Sequence, residues 1–430
     1  MARRARTICP LVGLLLLGAT TGAPAQSWRP IASMEVGVDS YAQIYRLTDF
    51  ASESLLATES SLRDTTDSIT EMRVAGELGL LREGGRWKSR IVGRLSAGTD
   101  LTSGRFDSEL DYRDADLRFD LDLQADARRF SDDTDFALSS DNAELRWNAH
   151  AQRRLVGEWW SGFRVRGDLL RYDTAGRYER NGQRVDVSAT SRWYRGFWDS
   201  FDIEVGGGHR SVPDSSEISY DRGFLRSEWS SGIDERWSAT MRGSLERRVY
   251  DDSTVRSPFW NPVIEPELRV RIRDGHELVW SMPLEWLDYD ESSDVYFDLF
   301  LGRTSLAYLR RQDRLQWSVE PRWSWLRAPV LVEDEYVQPS LLGRVDWFGG
   351  DRLWFSWSEE LGHRDYREVE TDGIGLYSDY WFIRTTILAS FRIAEGLSLE
   401  AFLSDEPESH RRPEDDARLT LATLTLRWRR

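Results

Sequence analysis

The chain has 430 residues, 30% of them charged and 12% aromatic, including 20 Trp, 15 Tyr and 17 Phe. Mean hydropathy is −0.55. No run of about 18 apolar residues follows the N-terminal segment, which excludes a bundle of transmembrane helices. The aromatic content excludes a disordered chain. A formal net charge of −16 argues against a nucleic-acid partner, because phosphate contacts need clustered basic residues.

Residues 1–26 read as a secretory signal peptide that is removed. Arg3, Arg4 and Arg6 form its basic region, Leu11 to Ala19 its apolar core, and Ala23-Pro24-Ala25 its cleavage site. Residues 27–430 are then one domain. Cys9 is the single cysteine and leaves with the signal, so no disulfide or thiol chemistry is expected.

From residue 33 a period-2 alternation of apolar and polar residues runs nearly to the C-terminus. In chain order the predicted strands are 33–46, 68–82, 86–98, 104–112 and 116–128. In the last of these Leu117, Phe119, Leu121 and Leu123 oppose Arg118, Asp120, Asp122 and Gln124. Next come 141–153, 161–173, 181–194, 199–211, 216–230 (whose period is ambiguous) and 236–249. Then comes 260–272, whose part 264–272 is the clearest: Ile264, Pro266, Leu268, Val270 and Ile272 oppose Glu265, Glu267, Arg269 and Arg271. The set ends with 277–289, 294–310, 314–327, 334–348, 352–365, 377–392, 397–404 and 416–428. That is about twenty strands, or 18 if 104–128 is one element and 216–230 is not a strand.

Short Gly- and Asp-containing connections, such as Arg273-Asp274-Gly275-His276, alternate with long acidic ones at 47–67, 129–141, 251–258, 288–294, 366–377 and 404–416. Tight hairpins on one side and long loops on the other suit a closed barrel. Aromatic residues near the short turns suit the interfacial girdle of a membrane barrel rather than the core of a soluble sandwich. Trp87, Trp160, Trp237, Trp280, Trp317, Trp354 and Trp428 are assigned to it. The reading is all-β: a single antiparallel up-and-down transmembrane β-barrel. Slipping 264–272 by one residue would turn four charged side chains to lipid, at roughly 5–12 kcal/mol, so the register is fixed.

The C-terminal strand carries Ala422, Leu424, Leu426 and Trp428 on one face, followed by Arg429 and Arg430. It resembles the recognition signal of bacterial outer-membrane β-barrels, and the resemblance of architecture, porin-like, covers 27–430. It implies an outer-membrane location reached by the secretory route. It also implies outer-membrane lipid as the surroundings and the barrel-assembly machinery as a partner through the last strand.

The opposite strand faces then line the lumen. The lumen-lining set is Arg90, Arg94, Arg118, Asp120, Asp122, Arg164, Arg166 and Arg184 on the first half. Glu265, Glu267, Arg269, Arg271, Glu285, Arg314, Glu320, Arg322, Arg384 and Arg392 complete it. Such rings select solutes by charge. The expected function is a channel or export pore for polar solutes, without catalysis or cofactor. A periplasmic partner could feed it, and 47–67 is the candidate for an inward constriction. No segment offers the length of a separate plug domain.

Two alternatives come from other classes. His209-Arg210-Ser211 places an imidazole and a hydroxyl on one face of a predicted strand, on the lipid side. It resembles the H-x-S of the outer-membrane phospholipase family, which implies His209 as base and Ser211 as nucleophile of a lipid hydrolase. Here Ser211 is followed by Val212-Pro213. The other alternative is a closed structural or adhesin-like barrel acting through its acidic loops. Asp288, Asp290 and Asp294 are loosely spaced like calcium ligands, but no Gly turn or terminal bidentate Glu follows, and no metal site is assigned.

Overall fold

The computed structural model describes residues 28–49, 61–98, 101–130, 141–173, 181–196, 199–213, 215–293, 296–330, 332–367, 378–411 and 416–429. The expected signal sequence, Asp294 and the tip of 47–67 lie outside them.

The alternation becomes strand throughout. The segments are β1 (Arg29–Asp49), β2 (Ser61–Gly84), β3 (Trp87–Gly98), β4 (Leu101–Arg113), β5 (Leu117–Phe130), β6 (Asn142–Val156) and β7 (Trp159–Tyr172). Then follow β8 (Gly182–Arg195), β9 (Asp199–Ser211), β10 (Tyr220–Gly232), β11 (Trp237–Tyr250), β12 (Phe259–Arg273), β13 (His276–Ser281) and β14 (Leu284–Tyr289). The last are β15 (Leu299–Gln312), β16 (Leu315–Arg327), β17 (Tyr336–Phe348), β18 (Leu353–Tyr366), β19 (Tyr380–Ala394), β20 (Leu397–His410) and β21 (Ala417–Arg429).

Neighbours in sequence pair antiparallel, and β1 pairs with β21 from Ser33↔Arg429 to Tyr45↔Ala417, so the sheet closes. Both β13 and β14 pair with β12 and β15. They are halves of one stave, broken at Met282-Pro283 because proline has no N–H for the ladder. The Met282 amide still donates to the Pro266 carbonyl at 3.1 Å, and Arg303 N–H to the Pro283 carbonyl at 3.0 Å. Among the described residues the barrel thus has twenty staves.

The short connections lie at one end. There Gly85, Gly157, Gly196, Gly275, Gly350 and Gly396 take φ values between 55 and 80°, which suit residues without a Cβ. Register shifts at Arg154/Val156, Arg271/Arg273 and Arg392/Ala394 precede three of these turns and bend the strands into them.

Three boundaries differ from expectation. The 216–230 segment opens with a 3-10 turn at Ser216–Ile218 and becomes strand at Tyr220. Its period is blurred because Tyr220, Arg222, Phe224 and Arg226 share one face, mixing rings with guanidiniums. β20 continues to His410 instead of ending at 404. Much of 47–67 is a paired ribbon rather than loop, with register running to Asp49↔Ser61.

Burial is inverted relative to a soluble protein. Leu78 and Leu95 are both 73% exposed, whereas Asp186 and Glu35 are 1% and 6% exposed. A soluble sandwich covers its apolar face. The charged face here is the concave one, because its side chains converge and reach over an intervening strand. Arg94 of β3 hydrogen-bonds Glu35 of β1, and Arg222 of β10 bonds Asp186 of β8. No helix among the described residues is long and apolar enough to cross a membrane; the strands carry the apolar surface.

Candidate functional site

Cross-strand partners share a face, so the registers place each expected residue. On the concave face lie Arg90, Arg94, Arg118, Asp120, Asp122, Arg164, Arg166 and Arg184. Glu265, Glu267, Arg269, Arg271 and Glu285 share it, as do Glu320, Arg322, Arg384 and Arg392. Arg314 does not: it occupies the exposed turn between β15 and β16, where its carbonyl accepts from the Phe348 amide at 2.8 Å.

Among the tryptophans, Trp87, Trp237, Trp280, Trp317 and Trp428 share the outward face with the exposed apolar residues. Trp160 and Trp354 face inward and leave the girdle. Phe163 and Val165 point outward on β7, so parity turns Trp160 in with Gly162 and Arg164. It is 1% exposed, with the Arg118 guanidinium 4.0 Å and that of Arg154 5.2 Å from its ring. Trp354 aligns with the inward Ser356. Counting parity from neighbouring charged residues would have found both.

The densest part of the inner wall spans β6 to β12. Registers stack its side chains in rows. On the long-loop side runs Arg166, Asp186, Gly208, Arg222, Arg248 and Phe259. Next runs Arg164, Ser188, Gly206, Phe224, Glu246 and Asn261. Below it lie Gly162, Thr190, Glu204, Arg226, Ser244 and Val263, and then Trp160, Arg192, Asp202, Glu228, Arg242 and Glu265.

Asp186 is the hub of the first row. It accepts from Arg222 at 2.8 and 2.6 Å, from Arg184 at 3.0 Å and from Arg166 at 3.2 Å. Arg222 also reaches Glu246 at 3.2 Å. One row down, Glu204 accepts from the Ser188 hydroxyl at 2.7 Å and from Arg164 at 3.2 Å. The buried ring of Phe224 lies beneath the guanidiniums of Arg226, Arg222 and Arg166 at 4.7, 5.1 and 5.3 Å.

Glycines make this crowding feasible. A Cβ on Gly208 would stand 2.0 Å from Asp186 Oδ1, and one on Gly206 would stand 2.7 Å from Phe224 Cζ. Gly206 and Gly208 are therefore the gap through which β8 and β10 side chains meet over β9. The small residues of the middle rows leave a recess of about 360 Å³ lined by His150, Arg164, Arg192, Glu204, Arg226, Glu265 and their neighbours. His150 Nε2 is 3.0 Å from the Thr190 hydroxyl. Sequence reading placed Arg164, Arg166 and Arg184 here but missed the roles of Glu204, Arg222 and Arg226. Partner choice across three strands has no periodic signal.

His209 and Ser211 are on the outward face of β9, near the long-loop end. His209 Nδ1 lies 2.8 Å from Asp221 Oδ1 on β10. Among the described residues no hydrogen bond joins His209 to Ser211; the Asp221 carboxylate holds the imidazole through Nδ1. Asp290 of the 288–294 connection is bound by Arg247 at 2.6 and 2.5 Å.

No family model matches the chain, and no curated protein matches it in sequence. Solved structures do match. The siderophore receptor PirA from Pseudomonas aeruginosa aligns at TM-score 0.53 and 10% identity, over 95% of this chain and 81% of PirA. The alcaligin outer-membrane receptor FauA from Bordetella pertussis aligns at TM-score 0.51 and 10% identity, over 95% of this chain and 77% of FauA. Pseudomonas aeruginosa OpdQ gives TM-score 0.48 and 10% identity, over 93% of this chain and 98% of OpdQ. Identities this low speak for the fold: that of the outer-membrane β-barrels.

Proposed function

We propose that this barrel sits in the outer membrane as a passive channel with a charged, water-filled lumen for polar solutes. The observation that carries the reading is the inversion of burial: apolar side chains on the convex face, ionisable ones on the concave face of a closed twenty-stave wall. A convex apolar band suits lipid, and a concave charged wall suits water and polar solute. A wall of this many strands is wide enough to enclose an aqueous passage. The chain would arrive by the secretory route, be inserted by the barrel-assembly machinery acting on β21, and meet any periplasmic partner at the short-turn end.

Liposome swelling tests the reading. Vesicles containing the folded protein should swell in iso-osmotic small sugars and progressively less in larger ones. Swelling no faster than in protein-free vesicles, from protein that migrates as a folded barrel, would remove the channel.

A further inference from the structure

The recess on the inner wall has two ends of opposite character. At the end nearer the long loops, guanidinium donors are in excess. Glu204 lies 3.2 Å from Arg164, 3.7 Å from Arg226 and 3.9 Å from Arg166. One carboxylate thus serves three cations, and the other carboxylate near Arg166, Asp186, is already held by Arg184 and Arg222. Nε of the recess-lining Arg164, and Nη2 of Arg166 two residues along β7, are buried with no hydrogen-bond acceptor. Buried donors of this kind are costly to leave unpaired.

At the end nearer the short turns, acceptors are in excess. Arg242 lies between two carboxylates: it is 3.4 Å from Glu228 and is the cross-strand partner of Glu265. Glu265 has no ion pair among the described residues, and it lines the recess. Arg192 is satisfied by its own partner, Asp202. Arg226 and Glu228 stand two residues apart on β10, so the ends are separated by roughly 6–7 Å along the wall.

We infer that this recess is a binding station for a small zwitterion, with Arg164 and Arg226 taking its carboxylate and Glu228 and Glu265 its ammonium. The lining argues for both charges on one solute. A singly charged solute gains at one end and is repelled at the other, whereas a zwitterion gains at both. The volume of about 360 Å³ suits a solute the size of an amino acid or a very short peptide. The inference rests on the channel reading only in that a solute must reach the wall.

Calorimetric titration of the full chain, folded in detergent, tests it. The probes are ω-amino acids of increasing chain length, acetate and methylamine. The expected result is an optimum of chain length, with the best zwitterion at least about tenfold tighter than acetate or methylamine. Arg226→Gln should remove that advantage while methylamine binds no more weakly than before. Glu265→Gln should remove it while acetate binds no more weakly than before. Acetate binding as tightly as the best zwitterion, or no saturable heat with any zwitterion, overturns the proposal. The wild-type ranking decides even where a variant fails to fold. Because the titration needs no transport, binding without vesicle swelling removes the channel and keeps the station; swelling without binding does the reverse.

Discussion

Arg222 of β10 grips Asp186 of β8 with two hydrogen bonds, at 2.6 and 2.8 Å, across the intervening strand β9. The contact exists because Gly208 stands between them; an added Cβ would lie 2.0 Å from Asp186 Oδ1. Three strands are thereby tied by one carboxylate. Asp186→Ala leaves Arg166, Arg184 and Arg222 without their shared acceptor. The expected cost is about 3 kcal/mol, read as a lower urea midpoint for loss of the compact barrel band on a gel. Gly208→Val should be damaging for a different reason, since it drives a branched side chain into the same contact. An unchanged midpoint for both would remove Asp186 as a structural hub.

The closing seam has its own latch. Arg427 of β21 donates to Glu35 of β1 at 3.2 Å and to Glu400 of β20 at 3.0 Å, and Arg94 also bonds Glu35. Glu35→Gln and Arg427→Gln should be strongly coupled. Their double-mutant cycle in unfolding free energy should give about 1–2 kcal/mol, against near zero for Glu35→Gln with the distant Arg344→Gln.

At the long-loop end, Glu335 precedes β17 and is 3% exposed. It accepts from Arg367 at 2.7 Å, from Arg327 at 3.0 Å and from the Ala328 amide at 3.2 Å. Burial pushes its carboxyl up, but these donors outweigh burial and hold it below its ordinary value of 4.5. A carboxyl depressed in the folded state stabilises above its unfolded value, and that stability is lost as pH falls through the lower folded value. Protection of the Ala328 amide from hydrogen exchange should therefore persist at neutral pH and fall on acidification below 4.5. Glu335→Gln should lower protection at neutral pH and flatten the profile.

Strand parity is testable at β18. Trp354 faces in, whereas Trp357, 38% exposed, faces out. Spin labels on Trp354→Cys and Trp357→Cys should differ in relaxation by the two standard agents. A water-soluble nickel chelate should reach the first more, and lipid-dissolved oxygen the second. The reverse order would mean that the register of β18 is shifted by one residue.

Most of the wall was legible in the sequence because an apolar convex face and a charged concave face impose a strict two-residue period. The 260–272 alternation of Ile264, Pro266 and Leu268 against Glu265, Glu267 and Arg269 translates directly into faces. Where the inner face carries rings, the period blurs, as at Tyr220, Arg222, Phe224 and Arg226. Proximity to a turn was a weaker guide than parity: it put Trp160 and Trp354 in the girdle, although adjacent outward residues fix both inward. Parity misled at Arg314, because the predicted strand 314–327 starts one residue too early and that residue makes the turn. The hub at Asp186 depends on three registers and one glycine gap, and no local pattern encodes such a coincidence.

A charged, hydrated passage through the barrel is the proposed route for solutes. Single-channel recording of the folded protein in planar bilayers tests it most directly. Stable, stepwise conductance is predicted, with an ion selectivity that shifts toward cations in Arg226→Gln and toward anions in Glu265→Gln. Silent bilayers, from protein that inserts and migrates as a folded barrel, would contradict it.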